Sequence, residues 1–203
     1  VFDRPWSATP ELFGSDGVLR YGERGHDSRL GKQDHGMRSF SRLLNSITTI
    51  PVSGTALATT SGTTKDFTIP SWAKKITLSL VGVSTNSTSV FRVQLGDIDG
   101  IETTNYLSYT ANHAAGTIAA ATGGFDLTTV NIAAATYDGV ANFNLADAST
   151  FTWNMDSNIG STTGPALFTS TGTKSLSAAL TTIRLTTQAG DTFDEGKVNV
   201  LYS

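Results

Sequence analysis

Hydroxyl-bearing side chains dominate the chain from residue 46 onwards, and they constrain its fold more than any other feature. Threonine (31) and serine (16) together supply 47 of the 158 residues between positions 46 and 203. Threonine favours β-strands because its branched Cβ has few rotamers and fits a pleated surface. A segment rich in Thr, Ser, Ala, Val and Gly therefore predicts sheets and turns with little helix.

Apolar and polar residues alternate with a period of two in five segments of this region, as they do in strands with one buried face. Dipeptides typical of turns lie between the segments. We therefore predict an all-β fold over residues 51–203, a β-sandwich or jelly-roll-like knob. The apolar members are Ile76, Leu78 and Leu80; Phe91, Val93 and Leu95; Phe151, Trp153 and Met155; Ile183 and Leu185; and Val198, Val200 and Tyr202. The turn dipeptides are Asp99-Gly100, Gly123-Gly124, Asp138-Gly139 and Gly190-Asp191.

The first 50 residues have a different chemistry and form a separate predicted region, an irregular N-terminal arm. Thirteen of residues 1–45 are charged, against 18 of the 158 residues that follow. One short helix is predicted at the end of the arm, where apolar residues recur at intervals of three, four and three and Ile50-Pro51 then ends the pattern. A helix this short needs packing, and we expect it to pack on copies of itself. Its apolar residues are Met37, Phe40, Leu44 and Ile47.

Five further apolar side chains are scattered through the glycine-broken part of the arm. An extended arm cannot bury such residues by itself, so they predict contact with a partner surface. They are Phe2, Trp6, Phe13, Leu19 and Tyr21.

Composition excludes several classes of function. The net charge of −3 gives no basic surface for nucleic acid, the chain has no Cys, and no apolar run is long enough to span a membrane. No nucleophile elbow, phosphate-binding loop or dinucleotide motif occurs, so we expect no catalysis and no cofactor. Paired carboxylates of a polysaccharide-degrading enzyme remain open as an alternative, because sequence does not give their separation.

Three carboxylates cluster around a glycine in the segment DIDGIE at residues 97–102. Calcium binds such oxygen clusters, but the distal Glu of an EF-hand loop and its flanking helices are missing. A hairpin turn with solvated acidic side chains is the prediction here, with no metal.

A series of ordered motifs resembles a known family. The stretch DFTIPSWAKKIT at residues 66–77 is similar to the DFTGIPSWVKRIT opening of a domain in bacteriophage and prophage tail-fibre-like proteins, although it lacks the Gly before the Ile. The resemblance covers about residues 60–203. Further matching blocks are GVST (82–85), VQLGD (93–97), GIETT (100–104), TKSLSA (173–178), IRLTT (183–187) and DTFDEGKVNVLY (191–202).

This resemblance implies a non-enzymatic, β-sandwich-like knob in the virion, usually trimeric, with residues 1–50 docking onto tail or capsid proteins. A short tail fibre or tail-tip knob that binds a host surface glycan or protein is the first expectation. A capsid decoration (cement) or head-fibre protein is the alternative. Amphipathic residues near predicted turns are the candidate receptor contacts, namely Tyr106, Tyr109, His113 and Tyr137.

Overall fold

The computed structural model describes residues 50–164 and 166–203, and these residues form antiparallel β-strands without any helix. The all-β prediction is therefore confirmed for this part of the chain, which also contains no helix able to cross a membrane. The arm and its predicted helix lie outside the described residues. The strands are β1 (Val52–Ser53), β2 (Leu57–Ala58), β3 (Lys65–Thr68), β4 (Lys75–Thr85), β5 (Phe91–Asp97), β6 (Gly100–Ile101), β7 (Leu107–Asn112), β8 (Thr117–Ala121), β9 (Phe125–Asp126), β10 (Tyr137–Asp147), β11 (Thr152–Ser161), β12 (Ala166–Ser175), β13 (Thr182–Thr187) and β14 (Phe193–Tyr202).

Two sheets of unequal size make up the sandwich. The larger has nine strands in the order β1-β14-β4-β10-β11-β12-β7-β8, with β2 also pairing with β14. The smaller has five strands in the order β3-β13-β5-β6, with β9 also pairing with β5. Because one sheet has nine strands and the other five, the outermost strands of the larger sheet extend beyond the cover of the smaller one. Strand β8 is exposed on both faces.

Aromatic side chains join the two sheets across the core. Phe91 on β5 meets Tyr137 on β10 edge to face, with 5.0 Å between ring centroids. Phe125 on β9 packs against Phe143 on β10 with a centroid distance of 5.9 Å. All four rings are fully buried. The period-two alternation seen in the sequence therefore points its apolar members into one continuous core, as predicted.

Three of the four predicted turn dipeptides lie at a turn or bend, and one does not. Asp99-Gly100, Gly123-Gly124 and Gly190-Asp191 lie in or directly beside a turn or bend. The prediction for Asp138-Gly139 is wrong, because both residues lie inside β10, at a bulge in its pairing with β4. A Cβ at position 139 would collide with the carbonyl oxygen of Asn158. Glycine is needed there for close strand approach rather than for a turn.

Substitution of Gly172 on β12 tests how tightly this strand packs against β7 and the Phe125 ring. An added Cβ would collide with the Leu107 carbonyl oxygen and lie 2.8 Å from the Phe125 ring. We expect Gly172→Ala to lower the free energy of unfolding by about 1–3 kcal/mol, since backbone and ring must shift. Gly160→Ala is the matched control, because its Cβ would find the nearest atom 3.8 Å away. Equal denaturation midpoints for the two variants would contradict this packing.

Candidate binding face

Two of the four candidate contact residues are buried, and their assignment is corrected. Tyr106 is 3% exposed and Tyr137 is fully buried. The Tyr106 hydroxyl accepts a hydrogen bond from the Leu95 amide at 2.7 Å and donates to the Glu102 carbonyl at 3.0 Å. Burial raises the pKa of Tyr106 well above its usual range. Since neither ring reaches the surface, both tyrosines pack in the hydrophobic core and neither contacts a receptor.

The other two candidates lie on the outer side of the nine-stranded sheet. Tyr109 is 46% exposed in the middle of β7. His113 follows β7 in the turn that leads to β8, and it is exposed. Its Nε2 atom lies 2.9 Å from Oγ1 of Thr169, which faces the same way on the neighbouring strand β12. The structure thus brings Tyr109 and His113 onto one surface.

Strand β7 has the opposite pattern to an ordinary half-buried strand, with apolar residues outward and polar residues inward. Ser108, Thr110 and Asn112 are the buried side chains. The inward hydroxyls hydrogen-bond the backbone of β9: Thr110 Oγ1 donates to the Asp126 carbonyl at 2.6 Å, and Ser108 Oγ accepts from the Asp126 amide at 3.2 Å. The polar residues face inward because β9 passes beneath them and its backbone needs partners.

The outward residues of β7 and its neighbours form an apolar surface that we call the apolar outer face. Its large members are unusually exposed: Leu107 is 54% exposed, Leu167 49% and Ile118 75%. Strand pairing places Ala111 opposite Ile118 and Tyr109 opposite Ala120. A shallow groove of about 360 Å³ crosses this surface between Tyr109 and Ile118. The face is defined by Leu107, Tyr109, Ala111, Ile118, Ala120 and Leu167.

Charged side chains are almost absent from the segment that carries five of the six residues of this face, all except Leu167. Between Glu102 and Asp138, the sequence has a single Asp, Glu, Lys or Arg residue, Asp126. That carboxylate is paired with Arg92, with Nε 2.6 Å from Oδ1. An apolar surface without charge is typical of a site that contacts another molecule. Sequence reasoning missed Leu107, Ile118 and Leu167. The charge-free run was a signal for Leu107 and Ile118, whereas Leu167 lies outside it.

The acidic segment forms the β5–β6 hairpin, as predicted, but its carboxylates are not all solvated. Asp97 is 4% exposed, and its Oδ2 accepts hydrogen bonds from the Ser177 hydroxyl at 2.6 Å and the Ala178 amide at 2.9 Å. The Glu102 carboxylate forms an ion pair with buried Lys174. The two carboxylates therefore attach the hairpin to the end of β12 and to the segment that follows it. No group of three or more metal-ligating side chains occurs within residues 50–164 and 166–203.

The nine predicted contacts of the arm lie outside the described residues and stay predictions. They are Phe2, Trp6, Phe13, Leu19, Tyr21, Met37, Phe40, Leu44 and Ile47.

Comparisons with known proteins give no relative for this chain. No family model, no curated protein and no solved structure matches it.

Ser177 tests the attachment of the hairpin through its hydrogen bond to Asp97. That bond is the largest cause of a lowered Asp97 pKa, from an ordinary value of 3.8. The pKa of Asp97 is lower in the folded state than in the unfolded state. The ionised Asp97 therefore stabilises the fold fully at pH values above the unfolded-state pKa, and this stabilisation is lost as the pH falls through the folded-state pKa. We expect Ser177→Ala to lower the free energy of unfolding at pH 7 by about 1.5–3 kcal/mol. The difference from the wild type should shrink below about pH 4.

Ser149→Ala is the matched control for this prediction. The Ser149 hydroxyl donates to Asp147 at 2.7 Å, in an exposed turn where water replaces the bond readily. Chemical denaturation across the acid range should therefore show a smaller loss for Ser149→Ala than for Ser177→Ala. A Ser177→Ala effect that stays constant with pH would contradict the role assigned to Asp97.

Proposed function

We propose that this chain is a non-enzymatic structural protein of a bacteriophage virion, a short tail fibre or tail-tip knob. Residues 1–50 attach it to other virion proteins and residues 51–203 form the knob, which binds the host surface. The observation that carries the proposal is the apolar outer face, an uncharged contact surface presented by a β-sandwich. The family resemblance of residues 60–203 supports the same conclusion. Together with the predicted short helix that carries Met37, Phe40, Leu44 and Ile47, it supports a homotrimer.

Binding rather than catalysis is favoured by the surroundings of the exposed polar groups. His113 contacts the hydroxyl of Thr169, and no carboxylate hydrogen-bonds its ring in the described residues. A general base needs such an orienting partner and a nearby nucleophile. Tyr109 instead offers an aromatic ring on an open surface, which suits stacking against a sugar ring or packing against a protein side chain. A host glycan or protein is therefore the proposed ligand class.

Capsid decoration is the second candidate function, and the composition of the apolar outer face favours it. Permanent protein contacts are more apolar than reversible ones. A face with Leu107, Ile118 and Leu167 exposed together fits a subunit that stays clamped to a shell. In this case the arm and the face would both contact capsid proteins.

Immunogold labelling of intact phage particles tests the location of the protein. We expect an antibody against residues 51–203 to label the tail, because the proposed knob contacts the host there. Pre-immune serum on the same particles is the control. Label distributed over the shell would favour decoration instead. Absence of the protein from both intact and disrupted particles would overturn the virion assignment.

Competition for adsorption tests whether Tyr109 contacts the host. Purified wild-type protein should block adsorption of the phage to host cells, since it occupies the same receptors. We expect Tyr109→Ala to raise the concentration needed for blocking by about tenfold, the effect of removing one central aromatic contact. Val81→Ala, at a residue 49% exposed on β4, is the control and should block like the wild type. Equal blocking by all three proteins would exclude Tyr109 from the contact.

A further inference from the structure

Strand β8 ends the nine-stranded sheet without any of the features that normally protect a sheet edge. Natural edge strands carry charges, prolines or bulges that prevent pairing with another chain. The sequence of β8 is TIAAA, with none of these residues. Its pairing with β7 is regular over all five residues. Within the described part of the chain, no strand pairs with its other side.

Electrostatic repulsion does not prevent a second copy of the chain from approaching the β8 edge. The hairpin that carries β8 lies in the charge-free run between Glu102 and Asp126. A protein with a net charge of −3 usually repels its own copies through exposed carboxylates. Strand β8 itself carries no carboxylate, and its exposed groups include Ile118, small alanines and backbone amides and carbonyls that pair with no other strand within residues 50–164 and 166–203. The surface that matches such an edge in charge and hydrogen bonding is the same edge of another copy.

We propose that two copies of this chain pair through β8, antiparallel, about a two-fold axis at Ala119. The axis is perpendicular to the sheet, so the two nine-stranded sheets become one continuous sheet. Such an interface is isologous and closes on itself, which protects both β8 edges. Backbone hydrogen bonds supply the attraction, as in other cases of strand addition.

The register follows from the length and the side-chain pattern of β8. Centring the axis on Ala119 is the one register that overlaps all five residues, pairing Thr117 with the partner's Ala121 and Ile118 with the partner's Ala120. Directly opposite residues in an antiparallel pair point to the same face. Ile118 therefore lies beside a small alanine, which leaves room for its side chain. A shift by one residue would place outward residues opposite inward ones.

Pairing in this register continues the apolar outer face from one copy into the next. Tyr109 lies opposite Ala120 within one copy. Across the axis, the next residues in the same row are the partner's Ile118 and then the partner's Ala111. Large and small side chains thus alternate along the row. Ile118, the most exposed large residue of the face at 75%, becomes packed between the two copies.

Light scattering on the full chain tests the pairing. We expect the wild type at micromolar concentration to contain an even number of copies, six if the proposed trimer also forms. Ala119→Lys should halve the mass, because the two-fold axis places the new lysine directly opposite its own copy. Ile118→Lys should do the same. Ile98→Lys is the matched control, since Ile98 is 80% exposed in the β5–β6 turn, and its mass should not change.

A charge-reversal pair separates an interface effect from a folding defect. Ala119→Glu should also halve the mass when it is alone. A mixture of Ala119→Lys and Ala119→Glu should restore the full mass, since opposite charges then face each other across the axis. Strand β8 is exposed on both faces, so these substitutions leave the core intact. The far-ultraviolet circular dichroism spectrum of each variant should match that of the wild type, as expected if the fold is retained.

Three results would overturn the pairing. The first is a wild-type protein with one or three copies, and the second is a mass that neither Ala119→Lys nor Ile118→Lys changes. The third is a mixture of Ala119→Lys and Ala119→Glu that does not regain the full mass. These outcomes are independent of the particle-labelling experiment. A trimer that labels the tail would leave the proposed function standing without the β8 pairing. An even-numbered assembly that is absent from particles would retain the pairing and overturn the proposed function.

Discussion

The structure depends on aromatic contacts that join its two sheets. Phe91 against Tyr137 and Phe125 against Phe143 connect strands of the five-stranded sheet to β10 of the nine-stranded sheet. Such rings supply much of the buried apolar area and fix the sheets at one separation. They are concentrated where the smaller sheet provides cover. Beyond that cover the larger sheet continues to β8, which is exposed on both faces.

Alternation in the sequence was enough to predict the fold class, because an inward residue at every second position is a local property. It was not enough to separate a turn from a bulge, and the Asp138-Gly139 prediction failed for that reason. The glycine is required by the neighbouring Asn158 carbonyl, which is close in space and distant in sequence.

Tyr106 and Tyr137 were misassigned for a related reason. A tyrosine near a turn is buried when a backbone amide satisfies its hydroxyl, and the amides of Leu95 and Ile132 do so here.

The candidate face was only partly predictable. Tyr109 and His113 could be named from their residue types, whereas Leu107, Ile118 and Leu167 could not. In β7 the inward residues are polar and the outward ones apolar. Hydrophobicity therefore predicts that the wrong face of this strand is buried. That inversion arises because Thr110 and Ser108 bind the backbone of β9, a two-residue strand that pairs with β5. No pattern in the sequence reveals such a contact.

The β8 pairing and the proposed binding role are physically connected through the direction of the two-fold axis. An axis perpendicular to the sheet keeps the outer faces of both copies on the same side. Two copies of Tyr109 would then face the same target, each close to the shared edge. Once one copy is bound, the second binds at a high effective concentration, so weak single contacts add to a strong attachment. An axis lying in the sheet plane would turn the two faces in opposite directions and lose this advantage. The register centred on Ala119 keeps Ile118 and Ala120 on the outer face of both copies. Pairing in this register would therefore let the uncharged edge of β8 enlarge the binding surface.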